Sequence, residues 1–326
     1  MTHAIRDFTE ADYEAWTELH NEVFPDNAQS AEECRRGDRL REPQHRLRRW
    51  VCAEAGRLVG TGEYRQEAWG YHPHKFFVGV VVRPSERGRG LGTAHYDTVV
   101  AALAEHEPIL LRTMYREDWA ESARFAGARG YTPGMRVEES VCDIASFDPG
   151  AYAADLARAE AQGIAIRSLP ELERLPGWEE QLYALTQQLL SDMPRHEPHV
   201  PPPFELWRER ILKGPRFLPE LNLIALDGDR FVGMSNFWRN TIPGRVGTGL
   251  SGVIGEYRRR GLATALKVRA LAAARAAGYR ETRTWNAAEN AGMLGINRRL
   301  GFTPLPAWLE MEKPVGAAVK EEAHGA

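Results

Sequence analysis

Apolar and polar positions along this chain follow two periods, and the same succession of periods occurs twice. AIRDFTEADYEAWTELH, from Ala4, opens with a short apolar run, passes through turn residues and continues with apolar positions at helical spacing. AIRSLPELERLPGWEEQLYAL, from Ala165, repeats that order. RRWVCAEAGRLVGTGEYR, from Arg48, and NLIALDGDRFVGMSNFWR, from Asn222, each place a Gly-containing turn between two β-prone runs, at Ala55-Gly56 and Asp227-Gly228. Both predict a β-hairpin.

The third match is the longest. VVVRPSERGRGLGTAHYDTVVAAL, from Val80, parallels SGVIGEYRRRGLATALKVRALAAA, from Ser251. Arg87 and Arg258, Gly90 and Gly261, and Gly130 and Gly301 are each 171 residues apart. Three matches in order at a held spacing mean a duplicated domain. The repeat predicts an α/β chain of two tandem domains, residues 1–146 and 164–326, joined by a linker at 147–163 where Asp148-Pro149-Gly150 precedes a short Ala-rich helix. Each copy reads β-α-β-β-β-α-β-α-β. A Pro-rich stretch, SDMPRHEPHVPPPF from Ser191, is expected to be a loop that could cover a pocket.

The length of 326 residues suits two such domains, and 43% hydrophobic with 27% charged residues suits packed cores on a soluble chain. A net charge of −3 argues against a nucleic-acid partner. Cys34, Cys52 and Cys142 fit neither a disulfide framework nor a zinc site, which predicts a reducing cytoplasm. No run is apolar enough for a membrane span, and the first residues lack a secretory core.

The chemistry sits where a strand meets a helix through an Arg/Gly loop. The first copy supplies Arg87, Gly88, Arg89, Gly90, Leu91, Gly92 and Thr93; the second supplies Arg258, Arg259, Arg260, Gly261, Leu262, Ala263 and Thr264. Exposed amides and the positive end of a helix dipole make an anion site, and small residues let a phosphate approach. A pyrophosphate is the expected ligand. The P-loop signature is missing, and Gly88-Arg89-Gly90-Leu91-Gly92 has the wrong spacing and place for a Rossmann fingerprint.

Arg-x-x-Gly-x-Gly/Ala between a strand and a helix resembles the acyl-CoA pyrophosphate loop of the GNAT superfamily of N-acetyltransferases. Thr284-Trp285-Asn286, followed by Asn290, Met293, Ile296, Asn297 and Leu300-Gly301-Phe302, resembles that family's next motif. The resemblance covers nearly the whole chain. It implies, in each copy, a central mixed sheet splayed at its middle and flanked by helices, with acetyl-CoA or another acyl-CoA as cofactor and no metal. Val253 and Ile254, with Val82 in the first copy, would lie on the splayed strand and face pantetheine, and Asn290 would contact the cofactor.

The implied reaction is direct attack of a small-molecule primary amine on the thioester. Many family members carry a tyrosine four residues before the final glycine as the thiolate's acid. Here that position is Asn297, and Ala126 in the first copy. The Asn-bearing version is similar to mycothiol-synthase-like tandem proteins, which implies a catalytic second copy and a largely degenerate first. Asn297, Glu256 (through water) and Asp192 are the catalytic candidates. Asn290 also reads as a helix cap, Asn297 as a structural hydrogen-bonder, and Met293, Ile296 and Leu300 as core. His196, Glu197 and His199 share the Pro-rich loop with Asp192, without the helix a metal pair there requires. A non-catalytic acyl-CoA-binding module, a protein or peptide N-acetyltransferase and an aminoacyl-tRNA-dependent transferase are the competing classes. A monomer or homodimer is expected.

Overall fold

The structure, a computed structural model, describes residues 4–67, 70–194 and 197–316. The first repeat forms β1 (Ile5–Asp7), α1 (Tyr13–Val23), α2 (Ala31–Arg39), β2 (Leu47–Glu54), β3 (Arg57–Arg65), β4 (Lys75–Val82), α3 (Leu91–Leu103), β5 (Leu110–Arg116), α4 (Ala120–Gly127) and β6 (Thr132–Asp143). A connecting helix α5 (Ala153–Glu160) follows. The second repeat forms β7 (Ile164–Ser168), α6 (Trp178–Ser191), α7 (Phe204–Arg210), β8 (Phe217–Asp227), β9 (Arg230–Arg239) and β10 (Arg245–Val253). It ends with α8 (Leu262–Ala276), β11 (Glu281–Ala287), α9 (Ala291–Arg299), β12 (Thr303–Pro304) and β13 (Trp308–Pro314).

Each repeat thus has one short helix more than its pattern predicts, α2 and α7. A capping box explains α2: Ser30 accepts the Glu33 N–H, and the Glu33 carboxylate returns to the Ser30 amide. The second hairpin turns at Gly228-Asp229, one residue later than expected.

The chain divides into two compact units. Among described residues the first comprises 4–136, 197–200 and 307–316, and the second 137–194 and 201–306. In the first unit β1, β2, β3 and β4 pair antiparallel in order, β5 adds in parallel to β4, and β13 closes antiparallel on β5. In the second, β7 to β10 pair antiparallel, β11 adds in parallel to β10, and the second half of β6 closes antiparallel on β11. Both are mixed sheets flanked by helices.

The closing strands are exchanged. β5 pairs with β13 from Arg116↔Trp308 to Leu110↔Pro314, while β11 pairs with β6 from Ala287↔Val137 to Glu281↔Asp143. Repeat and compact unit are therefore different divisions of the chain. Each sheet packs its own core, with Phe76, Val99, Leu103 and Leu111 central in the first. Ile224, Val246, Leu266 and Leu271 are central in the second. Helix α8 reaches that core through Leu262, Ala265, Leu266, Ala270, Leu271 and Ala274, which share one face at three- and four-residue spacing.

Both parallel pairs splay after three partners. In the first unit Lys75, Phe76 and Phe77 face Leu110, Leu111 and Arg112, and pairing then stops. In the second, Arg245, Val246 and Gly247 face Glu281, Thr282 and Arg283 before the strands part.

Candidate functional site

The splayed strand runs in each unit straight into the Arg/Gly loop, and the two loops share one backbone path. Arg87 stands at φ −66°, ψ 161° and Arg258 at −67°, 160°. Gly90 at φ 86°, ψ −6° and Gly261 at 84°, −2° are left-handed caps of α3 and α8. A side chain strains that conformation, which is why glycine holds it. Between them Gly88 has φ 77°, whereas the second loop puts Arg259 into the same left-handed region at φ 60°. The second loop accepts that strain and carries one more cation.

The leading arginine works on the backbone first. Arg87 Nε donates to the Val82 carbonyl (3.4 Å) and Arg258 Nε to the Val253 carbonyl (3.1 Å), fastening each loop to the strand it leaves. Their remaining nitrogens meet carboxylates, Glu121 for Arg87 and Asp192 for Arg258. Arg89 pairs with Glu54 and Glu86. Arg260 donates to the Glu256 carbonyl and lies over the Tyr257 ring.

The residues fit a pyrophosphate. The first-turn amides of α3 (Leu91, Gly92, Thr93) and of α8 (Leu262, Ala263, Thr264) have no acceptor within their helices. The space a Cβ on Gly90 would enter is open, so an anion can reach them there. At Gly261 the nearest group to that space is the Arg158 guanidinium on α5, 3.6 Å away, a further positive charge at the second loop.

In the first unit the splay opens as a cavity of about 730 Å³. Val78, Val80 and Val82 line it on one side, Tyr115 and Tyr131 on the other, and Gly90 and Leu91 at its loop end. Trp119 and Ala126 of the α4 region also line it, at the places where the second repeat has Asn290 and Asn297. Trp119 packs with Phe24 and Trp308 as an aromatic cluster.

Asn297 is 1% exposed. Its Nδ2 donates to Asn286 Oδ1 at 2.8 Å, and its own Oδ1 is buried without a partner. Such an orphaned acceptor costs stability unless a ligand donor meets it. Asn290 caps α9, its Oδ1 accepting the Met293 N–H at 3.2 Å, which leaves its Nδ2 for a ligand. Leu300 is buried core. Both main-chain groups of Ile254 are used, the N–H on the Val232 carbonyl and the C=O by Tyr257 N–H.

The carboxylate candidates lie at the loop's flanks. Glu256 is exposed and paired with Arg230 at 3.0 Å, and Asp192 is paired with Arg258. Glu197 lies in the first unit, its carboxylate on Lys75 and Arg112. Burial pushes that carboxyl up, but the Lys75 hydrogen bond and the charges of Lys75 and Arg112 together hold the group below its usual value. His196 lies outside the described residues. Among the described residues no three His, Cys, Asp or Glu side chains form a metal-holding group, and no helix is long and apolar enough to cross a membrane.

Sequence reasoning missed a buried polar layer beside each splay. In the first unit Arg49 bridges Asp38 and Glu63, and His20 stacks on Trp16 at 3.7 Å. Burial pushes the Glu63 carboxyl up, yet Arg65 and Arg49 hold it at about 2. The second unit has Asn222 and Asn236 instead, with Asn236 Nδ2 on Asn222 Oδ1 at 2.9 Å. Aligning the hairpins by their turns would have exposed this substitution of an ion pair by an amide pair.

The acetyltransferase (GNAT) family profile matches residues 5–123 and 182–302. Among solved structures, a GCN5-related N-acetyltransferase from Sphaerobacter thermophilus is 20% identical, with 96% of each chain covered and a TM-score of 0.68. A tandem GNAT protein from the clavulanic acid biosynthesis pathway is 17% identical over 97% of this chain and 99% of its own, with a TM-score of 0.70. A GCN5-related glucosamine N-acetyltransferase region in a fungal multi-domain GH3 β-N-acetylglucosaminidase is 16% identical, covering 96% of this chain and 38% of that one, at 0.69. No curated protein matches the chain.

Proposed function

The chain belongs to the acetyltransferase (GNAT) family, and from that premise we propose that it transfers an acetyl group from acetyl-CoA to a primary amine of a small molecule, with turnover in the second repeat. The observation that carries this reading is the splay leading directly into a helix-start cradle with a left-handed glycine cap. Bound acetyl-CoA would supply the activated thioester carbonyl.

The amides of Leu262, Ala263 and Thr264 would hold the pyrophosphate, with Arg259, Arg260 and Arg158 supplying charge around them. The unpaired edge of β10 beyond Gly247 would line the pantetheine arm, and Asn290 Nδ2 would be its donor from α9. Asn297 has no proton of acidic character to give; its free Oδ1 would orient a water able to pass the proton lost by the attacking amine to the thioester sulfur. Asp192 and Glu256 we assign to the loop's charge balance, since each already faces an arginine. Three free, buried cysteines suit a cytoplasmic setting.

A second reading applies to the first cleft, cofactor binding without turnover. Ala126 and Trp119 support it, because they leave an apolar wall where the second repeat has amides.

Calorimetric titration of acetyl-CoA into the wild type, Gly90→Glu and Gly261→Glu tests both, each variant placing a carboxylate in one cradle. The expected result is loss of one binding event in each variant, with amine-dependent CoA release abolished only by Gly261→Glu. Absence of binding to the wild type overturns the transferase reading. Retained CoA release in Gly261→Glu moves turnover to the first repeat.

A further inference from the structure

We propose that Asn236 is a positioning residue that holds a bulge in the splayed strand of the second repeat and so decides which backbone groups of β10 face the cleft. The inference rests on the reading that the second repeat turns over. In the first repeat Val78 stands opposite Tyr64, Gly79 opposite Glu63 and Val80 opposite Gly62, an unbroken register. In the second, Thr248 stands opposite Phe237 and Ser251 opposite Ser235, so two residues, Gly249 and Leu250, face the single Asn236. One extra residue in one strand is a β-bulge, which leaves the extra residue outside the ladder, bends the strand and re-aims its main-chain groups. Beyond the bulge the register is the same in both repeats, Ser251 opposite Ser235 as Val80 is opposite Gly62, and the Ile254 N–H on the Val232 carbonyl as the Arg83 N–H is on the Val59 carbonyl. What differs is the set of main-chain groups of Gly249 and Leu250 themselves.

Asn236 holds this arrangement by direct bonds. Its Oδ1 accepts the Leu250 N–H at 2.7 Å, taking that amide out of the ladder. Its Nδ2 donates to Asn222 Oδ1, and Asn222 Nδ2 donates to the Leu218 carbonyl at 2.8 Å, so the relay is satisfied from end to end. Asn236 is 3% exposed and Asn222 1%. Gly249 is required beneath it, since a Cβ there would lie 2.2 Å from Asn236 Oδ1 and 2.3 Å from Trp238 Nε1. Immediately beyond the bulge the Ser235 and Ser251 hydroxyls bond at 2.8 Å, where regular pairing resumes.

Glu63, at the equivalent place, has its carboxylate occupied by Arg49 and Arg65 and captures no strand amide. The difference bears on acyl transfer because a backbone N–H aimed at the thioester carbonyl acts only where its direction is fixed.

The test uses the full chain with Asn236→Ala, which removes the acceptor for Leu250 N–H, and Asn236→Asp, which keeps it. Expected for Asn236→Ala is a kcat about 10²-fold lower with KM for acetyl-CoA changed less than about threefold, the scale of losing one fixed donor. Hydrogen exchange at Leu250 should accelerate in the same variant. Asn236→Asp should recover at least about tenfold of the lost kcat, a rescue that a loss of packing would not give. A kcat within about twofold of wild type in Asn236→Ala overturns the inference, as does an Asn236→Asp no faster than Asn236→Ala. Where Asn236→Ala fails to fold, Asn236→Asp is compared with the wild type alone, and a more than tenfold loss in it overturns the inference. A wild type that releases no CoA with any amine instead overturns the transferase reading on which the inference stands.

Discussion

Lys267 is 3% exposed in α8, lies 5.1 Å from the centroid of the Phe302 ring, and has the Cys142 thiol as the neighbour that acts on its charge. Burial lowers its pKa to about 8, the thiol opposing weakly. The unfolded chain takes up this proton below pH 10.5 and the folded chain only below about 8, so stability falls as pH drops through that window. Lys267→Met should therefore raise stability at pH 7 by roughly 1–3 kcal/mol in urea unfolding. His20 gives the acid counterpart. Burial lowers its pKa to about 4, Glu63 pulling the other way. Below pH 6.5 the unfolded state binds the proton first, so about 3 kcal/mol should be lost between pH 6.5 and 4. His20→Phe, which keeps a ring against Trp16, should flatten that slope.

At the scale of elements, helix α9 depends on its cap, and Asn290→Ala should lower stability by about 1 kcal/mol while Asn290→Asp retains it. Thermal unfolding distinguishes the two. The loops before α3 and α8 were legible in sequence because glycines at Gly90 and Gly261 answer a backbone demand that few other residues meet. The hairpins were legible because turns and alternation are local. The bulge at Gly249-Leu250 was not, because it is fixed by a side-chain amide from a neighbouring strand and has no period of its own. Its trace is a splayed strand of 9 residues where the first repeat has 8, masked in the sequence by the shorter connection before it. The pairing of Asn286 with Asn297 was also hidden, as it needs β11 and α9 in place. Glu256 and Asp192 looked available in sequence because an ion-pair partner distant in the chain cannot be read from neighbours.

For the whole molecule the exchange of β6 and β13 was the least legible feature. Both strands carry similar patterns, and either would satisfy either sheet edge by alternation alone. A chain of residues 1–146 made by itself leaves β5 with its outer edge unpaired. It should be insoluble or oligomeric by light scattering, whereas a version extended by residues 303–316 through a flexible linker should be monomeric. Recovery of a monomeric, cooperatively unfolding 1–146 chain would count against this. The exchange also has a consequence in time. Arg112 on β5 leaves the ribosome 200 residues before Glu312, its partner on β13. The first half of the protein is thus translated first and completed last, and its nascent sheet waits with one open edge until synthesis of the second half is nearly over.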